Sequence, residues 1–90
     1  MSVRKFACPC CGYATLGEQP PGTFEICPVC FWEDDDTQFR DPGYEGGANS
    51  VSLSAARENF ATFGAIAEAH RGQVRSPTAE EQAARAGHSN

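Results

Sequence analysis

Five cysteines, all lying between residues 8 and 30, constrain this chain of 90 residues more than any other feature. Four of them form two Cys-x2-Cys pairs, Cys8 with Cys11 and Cys27 with Cys30, separated by fifteen residues. Two residues between cysteines let one tight turn present both thiolates to a single ion, and two such turns complete a tetrahedron. We therefore predict that Cys8, Cys11, Cys27 and Cys30 bind one Zn²⁺ ion per chain.

The fifth cysteine, Cys10, lies outside these pairs. Pairing it with Cys8 leaves a gap of one residue, and pairing it with Cys11 leaves none, so neither pair has the usual ligand spacing. We predict a small side chain at the rim of the turn, with a redox or metal-relay thiol as the alternative. Neither His70 nor His88 stands at ligand spacing from a cysteine, and we predict that neither binds the metal.

Cysteine spacing does not separate zinc from iron, because four sulfurs in a tetrahedron suit both metals. An iron site also needs an apolar shell to set its potential. Four aromatic residues are available for such a shell: Tyr13, Phe24, Phe31 and Trp32. The alternative interpretation is that these aromatic residues form the core of a domain with few aliphatic residues. We predict zinc and keep iron as the alternative.

The chain is poor in the residues that build a hydrophobic core. Leu, Ile, Val and Phe together make up 14 of its 90 residues, which is below the roughly 20% that a stable core usually needs. A bound metal would compensate, so we expect a metal-stabilised fold.

No apolar run approaches the length of a membrane span, and none follows Arg4 and Lys5 as in a secretory signal. These features predict a cytoplasmic protein, where paired cysteines more often bind metal than form disulfides.

The sequence predicts a small α+β domain over residues 1–72 and a flexible tail over residues 73–90. Two knuckles on short β-hairpins occupy residues 6–33, an acidic and Gly-rich loop residues 34–51, and a helix residues 52–71. Ser52 is the expected N-cap of this helix, and Gly64 is expected to mark a close packing contact. A second short helix is predicted at residues 77–86, where Thr78-x-x-Glu81 is a capping-box pattern. The apolar stripe of the first helix contains five residues: Leu53, Ala56, Phe60, Phe63 and Ala67.

The whole formal charge of -5 comes from residues 31–50, since the segments on either side sum to zero. This distribution lacks the basic face that a nucleic-acid-binding protein needs, and we predict no binding to nucleic acid or membranes. We expect instead that the acidic loop binds a basic protein partner. The alternatives are a solvated loop and a calcium site, but the EF-hand pattern is absent. Four aromatic residues accompany the acids: Phe31, Trp32, Phe39 and Tyr44.

Three segments resemble the bacterial cysteine-rich CPCC family: CPCCGYATL, PPGTFEICPVCFWEDD and FRDPGYEGGANSVSLSAARENF. The resemblance implies a small metal-binding domain and no particular activity. The cysteine pairs are also similar to those of zinc ribbons and of the short rubredoxin-like domain of rubrerythrins. The chain departs from rubredoxins at Phe31, which replaces the glycine usual after the second pair and puts the full amide-to-sulfur pattern in question there. It also adds an Asp-rich loop and a helix that an electron carrier would not need.

These observations predict a structural zinc domain that acts as a protein-interaction module. The alternative function is electron transfer by a rubredoxin-like iron site. We do not expect an enzyme, because four sulfur ligands leave no open position for water on the metal. The spacing also suggests no Ser-His-acid or Cys-His grouping.

Overall fold

The computed structural model describes the backbone of residues 5–86 and the side chains of residues 5–83. It begins with an antiparallel hairpin of β1 (Phe6–Ala7) and β2 (Ala14–Leu16), with a bulge between its two residue pairs. The turn that joins these strands, residues 8–13, contains the first cysteine pair, and we call it the first knuckle. The predicted small α+β class is confirmed.

The second cysteine pair lies in a second hairpin-like turn, residues 27–32, which we call the second knuckle. Its base is held by the Cys27 N–H, which donates to the Trp32 carbonyl at 2.9 Å. The chain on either side pairs through a single antiparallel bridge between Ile26 and Glu33. On the outer side of Glu33, the Asn49 side chain accepts from its N–H and donates to its carbonyl, each at 2.8 Å. Asn49 thus makes the two hydrogen bonds to the Glu33 backbone that a third strand would otherwise make.

Residues 34–51, predicted as an irregular loop, contain a short helix, α1 (Asp36–Arg40). Asp35 caps its N-terminus, accepting from the Gln38 N–H at 3.2 Å and, through its other oxygen, from the Ala48 N–H at 2.8 Å. The Ala48 amide is the main reason that the pKa of Asp35 lies below its ordinary value. The sequence pattern missed α1 because a helix this short has no hydrophobic periodicity to detect.

The rest of this segment is organised around Gln38, whose side chain is fully buried. Its Nε2 donates to the carbonyls of Tyr44 and Val51 at 3.1 and 2.9 Å. Its Oε1 accepts from the N–H and Nδ2 of Asn49 at 3.2 and 2.9 Å. One buried amide thus binds three points along the chain, and residues 41–51 fold around it.

Helix α2 (Leu53–Phe63) begins as predicted, since Ser52 accepts from the Ala55 N–H at 3.1 Å. It ends at Gly64 rather than at residue 71, so the predicted length is wrong. Gly64 has φ +78°, and its N–H donates to the Phe60 carbonyl at 2.9 Å. No atom lies within 4 Å of a Cβ placed there. The glycine therefore ends the helix in the left-handed conformation and marks no packing contact.

The buried face of α2 consists of Leu53 and Ala56, and Ile66, just beyond the helix, continues it into the core. Phe60 is half-buried against the core and meets Tyr13 edge-on, with ring centroids 6.3 Å apart. The predicted apolar stripe thus faces the core, but Leu53 and Ala56 are more deeply buried than Phe60 and Phe63. Phe63 and Ala67 are half-buried, and Phe63 lines a cleft of about 300 Å³ near the second knuckle.

A 3-10 helix (Glu68–Gln73) follows, and then α3 (Ala79–Ala86), which begins two residues later than predicted and lies beside β2. The capping box is present: Thr78 and Glu81 each accept from the other's N–H, at 3.2 and 2.8 Å. The Arg75 N–H donates to the Pro28 carbonyl in the second knuckle at 3.1 Å. Residues 74–83 of the predicted tail therefore contact the metal domain, through Pro28 and β2. The end of that tail, residues 87–90, lies outside the described residues.

None of the helices in the described part of the chain is long and apolar enough to span a membrane.

Candidate metal centre

The two knuckles face each other and bring four cysteine sulfurs together. The Sγ atoms of Cys8, Cys11, Cys27 and Cys30 all lie within 4.8 Å of one another. The Cys8–Cys30 and Cys11–Cys27 separations are 3.6 and 3.7 Å. A tetrahedron with metal–sulfur bonds of about 2.3 Å has sulfur–sulfur edges of about 3.8 Å. The group therefore has the size and the donor chemistry of a four-thiolate metal site, and none of its members is more than 3% exposed.

Backbone amides surround these sulfurs in a pattern common to both knuckles. The first cysteine of each pair accepts from the N–H two residues later, Cys10 to Cys8 and Val29 to Cys27, both at 3.4 Å. In the second knuckle the Trp32 N–H also donates to the sulfur of Cys30, at 3.4 Å. Such donors offset the negative charge that accumulates when thiolates gather around an ion.

Each knuckle closes through the residue that follows its second cysteine. The N–H groups of Gly12 and Phe31 donate to the carbonyls of Cys8 and Cys27, both at 2.8 Å. Both closing residues adopt positive φ, +81° for Gly12 and +77° for Phe31. Glycine adopts this conformation without strain, because it has no Cβ. The expected disturbance at Phe31 is not observed, because Phe31 adopts nearly the same positive φ as Gly12 and the Trp32 N–H still donates to Cys30.

The four thiols bind protons unequally because they are hydrogen-bonded to one another. The pKa of Cys27 is lowered, chiefly by its hydrogen bond to Cys11 and to a smaller extent by its hydrogen bonds to the other thiols. The pKa values of Cys8, Cys11 and Cys30 are raised, chiefly by hydrogen bonds to Cys11, Cys27 and Cys10 respectively. A second thiolate would be repelled by the first, because the two negative charges would lie side by side in a buried site. All four cysteines can therefore be ionised together only around a cation.

The remaining candidates lie at the margin of the site or outside the described residues. Cys10 is half-buried against the core and interacts with Cys30, but it is outside the group of four mutually close sulfurs. The His70 ring stacks on Phe31 at 4.4 Å, and its Nδ1 is 2.6 Å from Gln73 Oε1. His88 lies among the residues that the structure does not describe.

Sequence reasoning missed one polar residue that contacts the site. Thr15, in β2, is 7% exposed, and its Oγ1 donates to the sulfur of Cys27 at 3.0 Å. The sequence shows only a hydroxyl residue between Ala14 and Leu16. The structure adds that all three residues of this strand are buried. A buried hydroxyl requires a partner, but the sequence does not show which atom that partner is.

The aromatic residues proposed as a shell for the metal have different environments. Trp32 is completely buried in the core that surrounds the cysteines, and Tyr13 and Phe31 pack against that core while remaining half-buried. Phe24 is 59% exposed and has φ +60°, so its proposed place in the shell is wrong. The positive φ departs from the extended backbone of a regular strand.

The acidic run does not form one exposed surface. Asp34 is buried, and one of its oxygens accepts from the N–H and Oγ1 of Thr23 at 2.9 and 2.8 Å. Asp35 is also buried, as the cap of α1, whereas Asp36 is half-exposed and pairs with Arg40 at 2.8 Å. Trp32, one of the four aromatic residues expected beside the acids of the partner-binding loop, is buried as well and presents no ring to a partner. Two other aromatic residues of the predicted surface are accessible, Phe39 at 39% and Tyr44 at 43%.

Fold and site together define a class of protein: a small α+β domain of the zinc-ribbon type, with a buried group of four cysteines that can hold a metal ion. The chain belongs to the cysteine-rich CPCC family, whose sequence model matches residues 6–81. The match confirms the resemblance and extends from β1 into α3. A search of the curated proteins gave no match.

Proposed function

We propose that the chain binds one structural Zn²⁺ ion through Cys8, Cys11, Cys27 and Cys30. The observation that carries this proposal is the buried group of four sulfurs, whose separations fit the edges of a metal–thiolate tetrahedron. Zinc supplies no redox chemistry, and four thiolates leave it no open position, so its role is to stabilise the fold. We do not expect an enzyme.

Iron is the second candidate, with electron transfer as the function. The apolar surroundings of the cysteines favour it, because Leu16, Val29 and Trp32 shelter the sulfurs in the way that a redox iron site requires. Zinc remains the first choice because residues 34–73 add a loop and helices to the two knuckles, which an electron carrier does not need.

Metal analysis of protein purified without added metal separates these two candidates. We expect one equivalent of zinc and a colourless protein. A red protein with one equivalent of iron would replace the zinc proposal with the electron-transfer one. A protein that contains neither metal, and takes up neither after reduction of its thiols, would refute both.

We also propose that the metal-stabilised domain binds a basic protein through residues 36–45. This segment presents Phe39 and Tyr44 beside the exposed carboxylates of Asp41 and Glu45. The network around Gln38 holds it in place, so a partner would meet a preorganised surface. Exposed aromatic rings supply contact area, and the neighbouring negative charge attracts a basic surface.

Two double variants test this surface without disturbing the fold. Asp41→Asn/Glu45→Gln removes two exposed charges from residues 36–45, and Glu58→Gln/Glu68→Gln removes two from exposed positions elsewhere. In pull-downs at low salt, we expect the first variant to lose basic proteins that the wild type and the second variant retain. Equal recovery by all three proteins at low and high salt would refute the proposal. We expect no binding to DNA or RNA by any of them.

A further inference from the structure

The two knuckles supply nearly equivalent amide donors to their sulfurs, but one side chain breaks this equivalence. Thr15 lies four residues after Cys11, and its hydroxyl reaches across to Cys27 in the other knuckle at 3.0 Å. Asp34 stands at the same offset after Cys30, and its carboxylate accepts from Thr23 instead. A carboxylate cannot donate to a thiolate, so the second hairpin offers no counterpart to the Thr15 hydroxyl at this position.

The position of Thr15 is set by the first hairpin rather than by the metal ligands. Its N–H donates to the Tyr13 carbonyl at 2.9 Å, and β2 pairs with β1 on either side of it. The residue is 7% exposed, so water competes little for the hydroxyl. A thiolate accepts hydrogen bonds and cannot donate them, so the hydroxyl proton points to the sulfur when Cys27 is ionised.

We propose that Thr15 is a positioning residue of the metal centre, whose hydroxyl holds the Cys27 sulfur in its ligand orientation and reduces the charge that this sulfur donates to the metal. The inference rests on the proposed metal binding, but it concerns one ligand of the four. Cys27 accepts both the Val29 amide and this hydroxyl, and it therefore differs electronically from Cys8, which occupies the same place in the first knuckle.

Thr15→Val tests the proposal, because valine keeps the size and the branched Cβ while removing the hydroxyl. Loss of such a contact to a metal ligand typically weakens metal affinity about 10-fold to 100-fold. We expect weaker zinc binding of this order in chelator competition, and retention of affinity in Thr15→Ser. Thr62→Val is the matched control, because it removes an exposed hydroxyl on α2 that donates to the Glu58 carbonyl.

A spectroscopic measurement distinguishes an electronic role from a purely structural one. In the cobalt-substituted protein, the sulfur-to-cobalt charge-transfer band should move to lower energy in Thr15→Val, because a thiolate without its donor gives up charge more readily. The band should stay in place in Thr15→Ser and in Thr62→Val. An unchanged band together with wild-type zinc affinity in Thr15→Val would overturn the proposal.

If Thr15→Val does not fold with metal, Thr15→Ser and Thr15→Ala provide the comparison, because they differ by the hydroxyl alone. Tighter metal binding, or metal-dependent folding, by the serine variant only would support the proposal. Equal behaviour of the two would refute it. Failure of the wild type to bind zinc or cobalt would instead refute the proposed function, so the two failures are distinguishable.

Discussion

Phe31 shows how a single residue can be placed in an unfavourable backbone conformation by the site beside it. Its φ of +77° places it in the left-handed region, where a side chain costs about 1–2 kcal/mol. The turn requires this conformation, because the Phe31 N–H closes the knuckle onto the Cys27 carbonyl. The ring stabilises the fold, since it packs on the core and stacks against His70.

Replacing Phe31 by glycine and by alanine separates the backbone cost from the contribution of the ring. Both variants lose the ring, but only alanine retains the strain of positive φ. We expect Phe31→Gly to be more stable than Phe31→Ala by about 0.5–1 kcal/mol, less than the full strain because glycine gains freedom in the unfolded chain. Urea denaturation of the two zinc-loaded proteins measures the difference. An alanine variant as stable as the glycine variant would show that the turn is unstrained.

Serine substitution of the adjacent cysteines Cys10 and Cys11 tests the assignment of the first knuckle. Cys11 belongs to the group of four close sulfurs and Cys10 does not. We expect Cys10→Ser to retain one equivalent of zinc and Cys11→Ser to lose the ion and unfold. Metal analysis and circular dichroism check both results. Release of zinc by Cys10→Ser, with retention by Cys11→Ser, would mean that the knuckle uses a different pair.

Among the elements, the segment that links the two hairpins to α2 is stabilised by polar contacts rather than by apolar burial. Gln38 binds Tyr44, Val51 and Asn49, and Asn49 in turn binds the backbone of Glu33. The segment is also packed tightly where it crosses Gln38, because a Cβ added at Gly47 would lie 2.5 Å from the glutamine side chain. This network connects α1 to the second hairpin.

Removal of the Gln38 side chain should disrupt this element. Gln38→Ala leaves the partly buried carbonyls of Tyr44 and Val51 and the buried N–H of Asn49 without these partners, and each unsatisfied group costs about 1–3 kcal/mol. We expect a loss of about 2–4 kcal/mol, below the sum of these costs because water can enter the space, with hydrogen exchange increased over residues 41–51. Thr37→Ala, at the exposed neighbouring position, should change the free energy of unfolding by less than about 1 kcal/mol. Similar effects of the two substitutions would contradict the role assigned to Gln38.

In the molecule as a whole, the candidate metal site lies inside the hydrophobic core rather than beside it. The core cluster contains all four close cysteines, and Leu16, Val29, Trp32, Leu53 and Ile66 pack around them. A chain with so few large apolar residues cannot form a second core away from the site. Metal binding and folding are therefore expected to be coupled.

Metal removal should consequently unfold the protein. We expect a strong chelator to abolish the cooperative thermal transition and to shift the emission of Trp32, the single and fully buried tryptophan, to longer wavelength. Back-titration with zinc should restore both signals, whereas magnesium, which prefers oxygen ligands, should not. A metal-free chain that keeps its cooperative transition and buried tryptophan would show that the core forms without the ion.

The features that the sequence determined by itself are those that depend on short-range spacing. The two cysteine pairs, the Ser52 cap and the Thr78–Glu81 capping box were all predicted in place. Each depends on residues within about four positions of one another, whose relative geometry the local backbone conformation fixes. Membership of the CPCC family also followed from motifs contained within continuous segments.

Other features were decided only by the tertiary structure, because their causes are distant in the sequence. Asp34 and Asp35 resemble a solvated acidic run until Thr23 and Ala48 supply hydrogen bonds from 11 and 13 residues away. In the same way, Thr15 acquires its role only when folding brings it to Cys27. A polar side chain is stable in the interior only where a partner meets it. The fold supplies those partners, and no local pattern in this chain indicates them.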